Sequence, residues 1–90
     1  MLVQTGVTAD GRAVFAGIFA LYETHGVPLE DIMFGLLQRD ALPDWLDLFD
    51  RGLASGMKRS NVVRMIQTMA EVVSDEWAAG VMLRLGKHRP

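Results

Sequence analysis

Proline and glycine punctuate this chain at intervals that leave helix-length pieces between them. Thr8 is expected to cap a first helix running to about Thr24, with Asp10 in its opening turn and Gly26 just past its end. Pro28 suits the first position of a second helix, which carries Glu30 and Asp31 in its opening turn and ends near Arg39. Pro43 opens a third helix, closed by Gly56. Ser60 caps a fourth that runs to about Val73. Ser74 with Asp75 and Glu76 then reads as a fresh start, giving a fifth helix that ends at Leu85 before Gly86. The alternative is one long helix over both pieces. Gly17, Gly35, Gly52 and Gly80 fall inside the expected helices, where each costs about 1 kcal/mol relative to alanine. Helix crossings, where a side chain would clash, are one reason to keep them.

No segment alternates apolar and polar residues with period two for long enough to suggest a sheet. The expected fold class is therefore all-α: a small compact bundle of four to five short helices, antiparallel neighbours joined by short loops. Residues 1–7 are expected as a loose N-terminal leader, 8–86 as a single helical domain and 87–90 as a basic C-terminal tail.

Such a chain has more apolar side chains than it can bury. Half of its 90 residues are hydrophobic, and a domain of this size buries only about 60 % of the surface its unfolded form exposes. The surplus points to a contact surface, most simply with a second copy as a homodimer. The expected first helix carries Phe15, Ile18, Phe19 and Tyr22 on one stripe and the small residues Ala13, Gly17, Ala20 and Thr24 on another. A helix apolar on several faces is central or sits at an interface. The fourth sets Val62, Ile66, Met69 and Val73 along one face, with Met65 widening it. The expected partner interface is accordingly Phe15, Phe19 and Tyr22, or Met65 and Met69.

Catalysis finds little material. The chain has no cysteine and two histidines, His25 and His88, neither with a serine and an acid at triad spacing. No glycine-rich phosphate loop or zinc motif is present. The expectation is a protein that is not an enzyme and that takes no cofactor or metal. Asp40, Asp44, Asp47 and Asp50 lack the spacing of a calcium loop and read as a solvated face, helped by an Asp47–Arg51 pair. The longest apolar run, Ala13–Tyr22, is about half the length of a bilayer-spanning helix. Asp10 beside it and the lack of a cleavage site argue against a secretory signal, so the expected location is cytoplasmic and no membrane partner is expected.

The formal net charge of −2 conceals a division. Residues 1–50 hold two bases against eight acids, a balance of −6; residues 51–90 hold seven bases against three acids, a balance of +4. In the basic half, Met57-Lys58-Arg59-Ser60-Asn61 sets two cations just before an expected helix start, with Arg64 one turn on. Free N–H groups and a dipole that favours anions occur at such a start. Two functions follow. The first is a small non-catalytic helical interaction module that self-associates through apolar helical surface. The alternative is a nucleic-acid-binding regulatory protein that uses Lys58, Arg59, Ser60 and Arg64 as an anion contact.

Overall fold

At Thr8 the chain turns back on itself instead of starting a helix. The computed structural model describes residues 2–88. In it, β1 (Val3–Val7) and β2 (Ala13–Ala16) form an antiparallel hairpin. The Thr8 amide donates to the Arg12 carbonyl at 2.8 Å, the Gly11 amide donates to the Thr8 carbonyl at 2.9 Å, and Gly11 takes a φ of +90°. A tight turn followed by one left-handed residue closes a three-residue hairpin loop, and glycine enters that backbone region without steric cost. The Thr8 hydroxyl donates to Asp10 Oδ1 and accepts from the Arg12 amide at 2.9 Å. Arg12 Nε lies 3.2 Å from Asp10 Oδ2. The Thr8 hydrogen bond, seconded by the Arg12 charge, holds the Asp10 carboxyl below its ordinary range.

The all-α expectation is thereby overturned: the described residues form an α+β fold with five helices and a three-stranded sheet. The leader expected over residues 1–7 contains β1, and the helix expected from Thr8 to Thr24 shrinks to α1 (Ile18–Glu23). The physical reason is that threonine and aspartate side chains satisfy turns as readily as helix starts. Gly17, at φ 95° and ψ 2°, then separates β2 from α1.

α2 (Leu29–Gln38) starts one residue after Pro28, which takes the cap position with extended backbone and not the first helical position. Asp40 then adopts a left-handed φ of 52° and turns the chain into β3 (Ala41–Pro43). Aspartate is one of the few residues with a side chain that tolerates this region. β3 runs parallel to β2, with Val14 opposite Leu42 and Phe15 opposite Pro43, so β2 is central and the strand order is β1-β2-β3. Pro43 therefore ends an edge strand instead of opening a helix. An edge can accommodate its missing N–H, and the Phe15 carbonyl is used one residue later by the Asp44 amide at 2.8 Å. Residues 41–43 are all buried. A strand only three residues long and covered on all sides shows no polar alternation for a period-two search to find.

Asp44 caps α3 (Trp45–Ala54) by accepting from the Asp47 amide at 3.1 Å. α4 (Arg59–Glu71) starts one residue ahead of Ser60, with Lys58 at its cap position and no side-chain cap bond, so Ser60 is not the cap. α5 (Asp75–Lys87) starts as expected: Ser74 Oγ accepts from the Trp77 amide at 3.0 Å. The core joins α2, α3, α4 and α5 around fully buried Met33, Leu48, Phe49, Val62, Ile66 and Met69, and no charged or polar residue is buried with them among the described residues. Gly52 marks the α3–α4 crossing, where an added Cβ would stand 3.0 Å from both Val62 methyls. Gly35 and Gly80, by contrast, face open space. No helix among the described residues is long and apolar enough to cross a membrane.

Candidate interaction surface

Most of the side chains expected at a partner interface are used inside the chain. Phe19, Met65 and Met69 belong to the core, with Met69 fully buried. Helix α4 turns both methionines toward its neighbours, so they fill the interior and present no contact surface. Phe15 is half-buried on β2 and packs against the same cluster. Tyr22 alone of the five is exposed, with its ring tilted against Phe19 at a centroid distance of 6.2 Å.

The basic candidates are displayed but not gathered. Lys58, Arg59, Ser60 and Arg64 are all exposed. Arg59 and Arg64 lie five positions apart on α4, about 140° around its axis. The Arg59 guanidinium sits over the Phe49 ring, 4.9 Å from its centroid, and leans toward α3. Lys58 and Arg64 make no ion pair among the described residues. The expected C-terminal tail is partly structured: Lys87 ends α5, and His88 Nε2 lies 2.9 Å from Asp50 Oδ1 with its ring edge-on to Phe49. Arg89 and Pro90 lie outside the described residues, as does Met1 of the expected leader.

Two aspartates read as a solvated face act as internal ties. Asp47 pairs with Arg51 at 3.4 Å, as the sequence suggests, and also accepts from the Gly17 amide at 3.1 Å, fixing the start of α1 against α3. Asp44 Oδ2 accepts from the Thr5 hydroxyl at 2.9 Å while its other oxygen caps α3. Among the described residues no group of three or more potential ligands is placed to hold a metal ion.

The apolar surface that does remain outside lies elsewhere. Val3 and Val7 on β1, Phe34 on α2, Val72 after α4 and Leu83 on α5 are all exposed, Leu83 most of all at 67 %. α5 is two-sided: Ala78, Val81 and Leu85 are buried, while Glu76, Ala79, Gly80, Leu83, Arg84 and Lys87 face solvent. Beside this outer face runs an open groove of about 390 Å³ lined by Ser74, Glu76, Trp77, Gly80, Val81 and Arg84. Trp77 Nε1 is buried there without a hydrogen-bond partner among the described residues. A sequence signal for this surface existed. Leu83 stands between Gly80 and Lys87 at helical spacing, opposite the stripe Trp77, Val81 and Leu85 that docks the helix. Comparison with family models, curated proteins and solved structures finds no match to this chain.

Proposed function

We propose that this chain is a small non-catalytic interaction module of the cytoplasm that associates with a second copy of itself through apolar helical surface. The observation that carries this reading is the set of large apolar side chains left outside after the core is filled, above all Leu83 at 67 % exposure. Large side chains of this kind on a small domain mark contact surfaces when they adjoin one another or a groove. His88 is engaged by Asp50 and Phe49, and His25 is exposed just after α1, which supports a binding rather than a chemical role. The cytoplasmic assignment is supported by Ala13–Tyr22. That apolar run is divided between β2 and α1, and it contributes Ile18 and Phe19 to the core. The test is sedimentation equilibrium of the full chain over a wide concentration range. A mass rising from 10.0 kDa toward twice that value is expected; a constant monomer mass at every concentration overturns the reading.

Nucleic-acid binding is the second reading. It is favoured by Lys58 and Arg64, which are exposed and unpaired among the described residues. Binding of this kind weakens steeply with salt. Absence of duplex or single-strand binding at low salt overturns it.

A further inference from the structure

The outward face of α5 has a pattern that no contact among the described residues explains. Glu76, Gly80, Leu83 and Lys87 recur at intervals of four, three and four, the spacing of a helix–helix seam, and all four are exposed. Gly80 is the telling position. A glycine in an exposed helix interior is costly relative to alanine, and here a Cβ would meet nothing within 4 Å. Gly52 is explained by the approach of Val62, whereas Gly80 has no such neighbour among the described residues. Close approach by another helix would supply one.

Charge along the same face changes sign. Asp75 and Glu76 lie in the first turn, Arg84 and Lys87 in the last, and Ala79, Gly80 and Leu83 separate them. An antiparallel copy therefore meets opposite charges at both ends, while a parallel copy meets like charges. We infer that α5 pairs with α5 of a second copy, antiparallel, about a two-fold axis near residues 81 and 82. This rests on the self-association reading above and names its surface. The axis sets Glu76 against Lys87 of the second copy and seats Leu83 over Gly80 of the second copy, beside the groove lined by Trp77, Val81 and Arg84. Symmetry makes each contact twice. A helix of 13 residues is about 20 Å long. Such a pair buries less than a standard interface, so the dimer is weak and reversible.

Sedimentation equilibrium of the full chain and its variants tests this, with circular dichroism to confirm folding. Leu83→Glu is expected to raise the dimer Kd about tenfold, the loss of a central apolar contact. Glu76→Lys or Lys87→Glu alone is expected to raise it about threefold, and the double reversal to return it near the wild-type value, because a surface pair contributes modestly and twice. Gly80→Ala is expected to raise the thermal midpoint of the monomer while weakening the dimer, a split that a purely structural role would not produce. Phe34→Glu on α2 is expected to leave Kd unchanged. A dimer insensitive to Leu83→Glu and to the charge reversals overturns this face but leaves self-association standing. A wild-type chain that is monomeric throughout overturns both.

Discussion

The Thr5 hydroxyl donates to Asp44 Oδ2 at 2.9 Å, joining the edge strand β1 to the cap of α3. Thr5 is free to reach because the β1–β2 register slips between Gln4 and Gly6, leaving it as the unpaired residue of a bulge. Asp44→Ala removes two acceptors at once. Loss of the cap alone costs about 1 kcal/mol, and loss of the exposed Thr5 bond adds about 0.5 kcal/mol. Thr5→Val should cost only the smaller amount. Urea midpoints of the two variants and their double mutant check this: the double should be no less stable than Asp44→Ala. Additive losses would show that the bond contributes nothing.

Gly52→Ala sets helix propensity against packing. Alanine favours the helix by about 1 kcal/mol, but its Cβ would stand 3.0 Å from both methyls of Val62, which is fully buried and β-branched. A stiff side chain in a filled core cannot rotate away. Overpacking of this kind costs about 1–3 kcal/mol, so the expected net effect is a lower thermal midpoint. Val62→Ala destabilises by opening a cavity, and adding Gly52→Ala to it should then recover stability. Loss in the first background and gain in the second is the signature to measure.

These two contacts also show what could be read from residue order. Pro28 and Ser74 act locally, and the starts of α2 and α5 lie within one residue of where the sequence places them. β3 is different. Its three residues become a strand only because β2 lies alongside, and that pairing joins Val14 to Leu42 across a long crossover. The hairpin was locally encoded, since Asp10-Gly11 between apolar stretches is a strong turn signal. It was masked because Thr8 and Asp10 also suit a helix cap. The exposed apolar surface was obscured for a related reason. Met65 and Met69 have the composition of an adaptable interface, and only the packing of α4 against α2, α3 and α5 consigns them to the core.

Acid titration should weaken the hairpin through Asp10. Its folded carboxyl is held below the ordinary value of 3.8 by the Thr8 hydroxyl and then by Arg12. A lowered folded value means that the stabilisation is fully present above the unfolded value and is lost as pH falls through the folded one. Asp10→Asn should therefore lower the thermal midpoint near neutrality. The gap to wild type should close below pH 3.8. Because Asp10 is exposed, added salt should shrink the gap as well. A gap that persists unchanged at low pH would assign the effect to the turn backbone instead.

Arg59 separates the structural from the recognition role of the basic segment. Its guanidinium over Phe49 contributes about 0.5–1 kcal/mol at an exposed site, so Arg59→Ala should lower stability by about that much. Lys58→Ala and Arg64→Ala remove charges that make no ion pair among the described residues; they should change stability by less than about 0.5 kcal/mol. If nucleic acid binds, Lys58→Ala and Arg64→Ala should each reduce the salt dependence of binding by about one unit of slope. Arg59→Ala should reduce it less, because that cation is already turned toward the ring. Binding isotherms at several salt concentrations, read beside urea midpoints for the same three variants, distinguish the roles. Equal slope losses for Arg59 and Arg64 would mean that the guanidinium leaves Phe49 to meet the phosphate.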